Sequence, residues 1–476
     1  MSMKLGLIGN PLAHSWSPEI HNFILGDSVP DDSIPGDGCG GCFPERPFSY
    51  SLWPLEQTEL EEFFEKRDFD GINVTIPYKT EVIRFLDELD DSAAVIGAVN
   101  CVVNDGGRLK GYNTDAAGLD LVIQRCLADS PAGAGAAEST AETAITDAPG
   151  SNMMAAILGT GGASRAAEYV CRQRGIDYRL VSRDPARATG ASSGTKPNNA
   201  TDAGIDRGRA GRIISYEELY SEPDRYTLLI NTTPVGMHPN EDGMPVDLSR
   251  LTSLRALVDV VANPVRSRLV FEAGQLGINA RGGLEMLVAQ ALVSDELFTG
   301  RRLDRQLIDR CVDHLLRTRR NIILIGMPSS GKTTVARMLA GQTDMPMLDM
   351  DAQIERQSKM SIPRIFAAQG EEAFRDMETE LCRKLQDRQG HIISTGGGVV
   401  KRKENMRMLS HNGLIVWLDR DPALLELEKG RPLVSTAGDY ERLHLERGPL
   451  YERYCDIHII NNGTPEDAAR KILSFL

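Results

Sequence analysis

Twenty residues in the last third of the chain, "NIILIGMPSSGKTTVARMLA" from Asn321, are compatible with few architectures. An apolar β-branched run leads into G-x-x-x-x-G-K-[ST] and then into a helical stretch, which reads as strand, phosphate-cradling loop and helix. Such a loop works through main-chain N–H groups. Those around Gly326, Ser329, Ser330 and Gly331 surround phosphate oxygens at a helix N-terminus, Lys332 adds a mobile cation, and the hydroxyls of Thr333 and Thr334 follow, with Thr333 placed to ligate Mg2+. A parallel sheet with crossover helices is the expected setting. Because 320 residues precede the motif in a chain of 476, a further fold has to account for them.

A chain of this length exceeds what one core supports and predicts roughly two to four domains. With 41% hydrophobic and 25% charged residues it has an ordinary globular composition, and a net charge of -14 argues against nucleic acid or anionic membrane as partners. The opening "MSMKLGLIGN" moves directly into a strand without a signal-peptide pattern, so cytoplasmic residence is expected. The eight cysteines are scattered and read as free thiols, and the one C-x-x-C, Cys39 with Cys42, lacks the second pair that a zinc site needs. It falls in one of three stretches, 26–47, 128–152 and 189–211, rich in Gly, Ala, Ser, Pro and Asp and read as surface insertions.

After the loop, "MLDMDAQIE" places Asp349 and Asp351 two apart at the end of an apolar run, where strand geometry would turn both carboxylates to one side. One suits a water-held magnesium and the other a hydroxylated substrate. Then come "EEAFRDMETE", "IISTGGGVV", "GRPLV" and "ERGPLYERY". In this order and spacing the set closely resembles shikimate kinase over Asn321 to Leu476. The resemblance implies that Lys332 and Thr333 serve ATP and Mg2+, with Asp349 on the metal side, and that Asp351 holds the hydroxyls of shikimate and orients the one attacked. It also implies that Arg375 and Arg447 grip the carboxylate, that the backbone of Gly397, with Gly396 and Gly398, lines the pocket, and that Arg431 rides on a lid over the transferring phosphate. "DPALLELEKGRPLV" is shorter than usual before that lid, and the arginine often found against the base is absent, which puts ATP affinity in question.

The first part has its own constellation. "GNPLAHSWSPEIHN" sets Ser15 and Ser17 in a turn after the first strand, where two hydroxyls can receive a carboxylate. "GINVTIPYKT" carries Thr75 and Lys79, "GAVNCVV" carries Asn100, and "GYNTDAAG" carries Asp115. A lysine and an aspartate brought together in a cleft make a pair able to pass a proton. "AAILGTGGASRAAEYV" is strand, turn and helix near the dinucleotide fingerprint, with Gly159, Gly161, Gly162 and Ala163 for close approach to pyrophosphate and Ser164 at the third glycine position. The next strand ends in Ser182 and Arg183. Arginine there suits a 2'-phosphate, so NADP is favoured over NAD, although Asp184 follows at once.

With "INTTPVGMHP", "DVVANP" and "MLVAQA", these pieces strongly resemble shikimate dehydrogenase over residues 3 to 300 outside the insertions. The resemblance implies that Ser15, Ser17, Thr75, Asn100 and Gln290 bind 3-dehydroshikimate or shikimate, that Lys79 and Asp115 carry the proton, and that nicotinamide carries the hydride. Three positions depart from the usual pattern: "SRD" stands where Asn-Arg-Thr is common, Ala262 replaces a frequent tyrosine, and Glu285 replaces a glycine. The expected fold is α/β throughout, in four stretches. Residues 1–118 with a helix at 285–300 form the substrate domain, 119–284 a Rossmann-like cofactor domain, 301–320 a helical linker, and 321–476 a P-loop domain like the nucleoside-monophosphate kinases. The expected function is reduction of 3-dehydroshikimate with NADPH followed by phosphorylation of shikimate with ATP. The alternatives are an NAD-linked quinate or shikimate dehydrogenase fused to the kinase, and a non-catalytic metabolite sensor.

Overall fold

The alternation of short apolar runs with helices resolves into three sheets. The computed structural model describes residues 2–12, 15–27, 48–128, 153–188, 212–425 and 436–476. The three insertions, apart from their edges, lie outside the described residues, and so do Cys39, Cys42 and Arg431. Two compact units divide the chain, Met1–Asn263 with Glu272–Val312, and Pro264–Phe271 with Asp313–Leu476. The helix Gln306–Arg319, which covers most of the expected linker, passes from one to the other at Val312.

The first unit holds two sheets. Strands β1 (Met3–Gly9), β2 (Phe48–Pro54), β3 (Gly71–Val74), β4 (Glu88–Leu89), β5 (Cys101–Asp105) and β6 (Arg108–Tyr112) are ordered β2-β1-β3-β5-β6-β4. β2, β1 and β3 run parallel, whereas β5 pairs antiparallel with both β3 and β6. The second sheet is wholly parallel. It contains β7 (Met154–Leu158), β8 (Asp177–Val181), β9 (Arg212–Ile214), β10 (Leu228–Asn231), β11 (Ala256–Asp259) and β12 (Asn279–Arg281), in the order β12-β11-β10-β7-β8-β9. The order reverses between β7 and β10, and the glycine turn stands at the carboxyl end of β7, the usual place for a dinucleotide in a doubly wound sheet.

Two helices carry Asp115 and Gln290, two of the positions expected to bind substrate. Thr114–Ala128 and Gly283–Thr299 pack so closely that a Cβ on Gly118 would stand 2.9 Å from the backbone nitrogen of Gln290. At the far end of the second helix the ring of Phe298 fills the space where Gly71 lacks a side chain. Both glycines act by what they leave out, since a larger residue at Gly118 would push the two helices apart and one at Gly71 would push Phe298 off the sheet.

The second unit is a five-stranded parallel sheet of β13 (Asn321–Ile325), β14 (Met347–Asp349), β15 (Ile392–Ser394), β16 (Gly413–Asp419) and β17 (Ile457–Ile460), ordered β14-β15-β13-β16-β17. β13 is buried along its whole length at the centre, which puts the phosphate-cradling loop in the middle of the carboxyl edge. Among the described residues no helix is long and apolar enough to cross a membrane.

Candidate active sites

In the first unit, Lys79 lies beyond the end of β3 and Asp115 in the first turn of the helix Thr114–Ala128. Their side chains meet. Lys79 Nζ donates to Asp115 Oδ2 at 2.6 Å, and with 32% and 23% of the two side chains exposed the pair is open to a small molecule. The Lys79 carbonyl accepts the Val99 N–H at 2.7 Å, which fixes the lysine beside Asn100. Asn100 in turn donates to Thr114 Oγ1 at 3.0 Å and to Gln290 Oε1 at 3.4 Å, while its own Oδ1 accepts the Thr114 N–H at 2.6 Å.

The two serines occupy the entry to the helix Ser17–Asp27, where Ser15 Oγ lies 3.2 Å from both the hydroxyl and the N–H of Ser17. Thr75 is placed by its N–H, which donates to the Ile8 carbonyl at 3.0 Å beside the end of β1. A polar chain connects the serines to Asn100 and was not legible in the sequence. The Ser17 hydroxyl bonds to the Tyr50 phenol. Tyr50 donates to Asn73 Oδ1 at 2.9 Å, Asn73 Nδ2 to Ser294 Oγ at 2.9 Å, and Ser294 Oγ lies 3.0 Å from Thr114 Oγ1. Behind Tyr50, His21 Nδ1 and Asp295 Oδ1 are 2.6 Å apart with neither side chain exposed, and burial raises the Asp295 carboxyl despite the histidine beside it.

On the cofactor side, Gly159 has φ of 105°, a conformation that side chains rarely adopt. A Cβ on Gly161 or Gly162 would meet nothing within 4 Å, which leaves the backbone open to a bulky anion, and Ala163 follows half-buried in the helix that begins there. Ser164 closes the turn by donating to the Gly161 carbonyl at 2.6 Å. Ser182 is half-buried and Arg183 exposed at the end of β8. The Asp184 carboxylate accepts the Arg187 N–H at 3.0 Å and so is engaged in starting the short helix Pro185–Ala188.

Glu285, one of the departures, points at two arginines instead of the cleft. Arg125 Nη1 donates to it at 2.9 Å and Arg281 Nη1 at 3.1 Å. Nothing in the structure explains Ala262.

In the second unit, Gly326 and Gly331 have φ of 145° and 91° and Ser329 has 62°, so the loop turns its N–H groups inward. Lys332 Nζ donates back to the carbonyls of Gly326 and Met327 at 3.0 and 2.7 Å. Ser329 Oγ lies 2.9 Å from the Tyr440 hydroxyl, and the buried Ser330 presents its carbonyl to Asn461 Nδ2 at 2.8 Å. Thr333 Oγ1 donates to Asp349 Oδ2 at 2.7 Å, whereas Thr334 is exposed.

The two aspartates do not share a strand face. β14 ends at Asp349, whose Oδ1 caps the next helix by accepting the Ala352 N–H at 3.0 Å, and Asp351 already stands in the first turn of that helix. The cap turns the chain and gives the carboxylates separate directions. Asp349 faces Thr333, while Asp351 Oδ1 would lie 2.8 Å from a Cβ on Gly396. Glu378 Oε1 would lie 2.6 Å from the same Cβ.

Arg375 is buried and paired through Nη1 with Glu378 and through Nη2 with Glu371 at 3.0 Å. Arg447, also buried, donates to the Gly397 carbonyl at 3.0 Å, and the Tyr451 hydroxyl donates to the same oxygen. Burial holds the Glu378 carboxyl up to about 6 against the opposing charge of Arg375. Arg375, Arg447, Asp351 and Glu378 are thereby gathered around the glycine run Gly396 to Gly398.

Comparison with known proteins follows the same division. Residues 328–476 match the family model for shikimate kinase, and residues 45–102 match that for the shikimate dehydrogenase substrate binding domain. Shikimate dehydrogenase (NADP(+)) of Bacillus subtilis (strain 168) is 31% identical over 304 residues, which is 63% of this chain and 92% of that protein.

The chain belongs to the shikimate dehydrogenase family.

Within this family, the protein of Halothermothrix orenii (strain H 168) is 33% identical over 307 residues, 62% of this chain and 90% of that one. The crystal structure of a chorismate mutase/shikimate 5-dehydrogenase fusion protein from Clostridium acetobutylicum aligns with a TM-score of 0.51 at 28% identity, covering 66% of this chain and 97% of that one. The shikimate dehydrogenase relatives therefore account for about two thirds of the chain, and the shikimate kinase match falls in the remainder.

Proposed function

We propose that this chain is a bifunctional shikimate-pathway enzyme whose first unit reduces 3-dehydroshikimate to shikimate and whose second phosphorylates the 3-hydroxyl of shikimate. The contact of Lys79 with Asp115 at 2.6 Å carries the reading, because it sets a proton-transfer pair beside amide and hydroxyl groups suited to a polyhydroxylated acid. Ser15 and Ser17 receive the carboxylate. Thr75, Asn100 and Gln290 hold ring hydroxyls. Lys79 delivers a proton to the carbonyl oxygen as the carbon is reduced, Asp115 holds and orients the ammonium, and solvent returns the proton to the lysine. NADPH supplies the hydride and leaves as NADP+. The open faces of Gly161 and Gly162 fit its pyrophosphate, and Ser182 with Arg183 fits its 2'-phosphate.

In the second unit Asp351 accepts the hydrogen of the attacking hydroxyl, and Arg375 and Arg447 bind the carboxylate with forked donors. Gly397 sets the pocket wall. ATP with Mg2+ supplies the phosphoryl group. Gly326, Ser329, Ser330, Gly331, Lys332 and Thr334 surround its phosphates, and the hard oxygen donors of Thr333 and Asp349 suit the metal. Arg431, outside the described residues, completes the phosphate contacts by resemblance. The substrates are small molecules, in keeping with a cytoplasmic enzyme that engages neither nucleic acid nor membrane.

A one-pot assay tests the whole. Purified chain given 3-dehydroshikimate, NADPH and ATP-Mg should oxidise NADPH and accumulate shikimate 3-phosphate. Oxidation without the phosphorylated product, or the reverse with added shikimate, removes one half of the assignment.

A further inference from the structure

We propose that Tyr50 is a third hydroxyl of the carboxylate subsite formed by Ser15 and Ser17, and so a binding and specificity residue for the dehydrogenase substrate. The inference rests on the dehydrogenase reading above and adds a residue on a different element, the edge strand β2.

The hydroxyls of Ser15, Ser17 and Tyr50 form a single relay. Ser15 Oγ donates to Ser17 Oγ at 3.2 Å, Ser17 bonds to the Tyr50 phenol, and the phenol donates to Asn73 Oδ1 at 2.9 Å. Each hydroxyl in such a row polarises the next, and an anion set against the row can draw their hydrogens to itself by rotation about the C–O bonds, with Tyr50 turning its own away from Asn73 Oδ1. Asn73 does not turn with them, because its amide nitrogen is committed to Ser294 at 2.9 Å.

The ring of Tyr50 is held from behind. The His21 imidazole stacks on it with centroids 4.2 Å apart and planes 13° from parallel, and the buried contact of His21 with Asp295 locks the imidazole. Neither His21 nor Asp295 is exposed, so neither touches substrate, and both act through the tyrosine. Tyr50 itself is only partly buried, and its hydroxyl adjoins Ser17. Burial, and after it the charge of Asp295, pushes the phenol well above its usual pKa, which keeps it a neutral donor. A rigid donor beside two flexible ones discriminates a carboxylate from an uncharged group, since only the anion gains charge-assisted bonds.

The test uses the full-length protein, NADP+, and two probes, shikimate and its methyl ester. Tyr50→Phe should raise the KM for shikimate about tenfold while kcat moves less than about threefold. The KM for NADP+ and the kinase activity should not move. For the ester, variant and wild type should differ by less than about twofold, because the charge that strengthens the bond is gone. An unchanged KM for shikimate, or equal losses on acid and ester, overturns the proposal. A wild-type chain that fails to oxidise shikimate overturns the dehydrogenase reading itself, a result seen before any variant is made. Should Tyr50→Phe not fold, Asp295→Asn serves in its place. It should raise the KM for the acid alone, by less, and a KM equal to wild type overturns the proposal.

Discussion

Replacing Glu378 by Gln should change how the stability of the kinase unit depends on pH. Glu378 is fully buried, contacts Arg375, and has Asp351 and Arg447 among the charges that act on it. Burial raises its carboxyl from the ordinary 4.5 to about 6. The folded unit therefore holds this proton more tightly than the unfolded chain does. The resulting stabilisation is complete below 4.5 and is lost as pH rises through about 6. Each pKa unit is worth about 1.4 kcal/mol, so the interval corresponds to about 2 kcal/mol of stability present at pH 4.5 and absent at pH 7. Glutamine keeps the shape without the titration. Relative to wild type, the variant should therefore gain about 2 kcal/mol between those pH values, whatever its absolute stability. Urea unfolding followed by tryptophan fluorescence measures this, since Trp417 is the one tryptophan of the second unit and stacks on Tyr451 in the core. Changing Trp16 and Trp53 to Phe isolates its signal. If the stabilities of the two proteins stay a constant distance apart across this range, burial does not perturb Glu378 and the reasoning fails.

Three further outcomes are expected. Lys79→Ala should lower NADP-linked oxidation of shikimate by at least about a hundredfold and spare phosphorylation, with Lys332→Ala doing the reverse; loss of both activities from either change would show the functions to be misassigned between the units. Arg183→Ala should raise the KM for NADPH about tenfold or more and leave that for NADH nearly unchanged, as only the first has the extra phosphate, so equal shifts in coenzyme titrations count against that contact. Glu285→Ala should leave dehydrogenase turnover unaltered while lowering stability by up to about 1 kcal/mol in thermal melts, because Arg125 and Arg281 each lose one charged partner while Arg125 keeps Asp309.

Local strand-turn-helix geometry was legible in the sequence, and long-range polar pairing was not. The two glycine turns announced themselves because each combines a strand, a special backbone conformation and a helix within about twenty residues. Lys79 and Asp115 were visible as candidates, but only the fold shows that they touch, since strand order decides which loops meet. Asp349 and Asp351 were assigned one strand face from their spacing. The spacing rule failed there because an aspartate at the end of a strand is also a good helix cap, and the cap determined the geometry. The pairing of His21 with Asp295 spans 274 positions and has no periodic or motif signal at all. Glu285 looked like a defect in the binding segment until its arginine partners, from two other elements, were in view.

The helix Gly283–Thr299 has a consequence for synthesis on the ribosome. It supplies Ser294 to Asn73, 221 residues earlier, and Phe298 to the gap over Gly71, so the amino-terminal sheet stays without its cover until nearly three hundred residues have been translated. The parallel sheet translated between the two can assemble from contacts much closer in sequence. Vectorial folding should thus complete the domain that is made second before the one that is made first, and a chain released before Gly283 would expose a large unfinished apolar face to its neighbours.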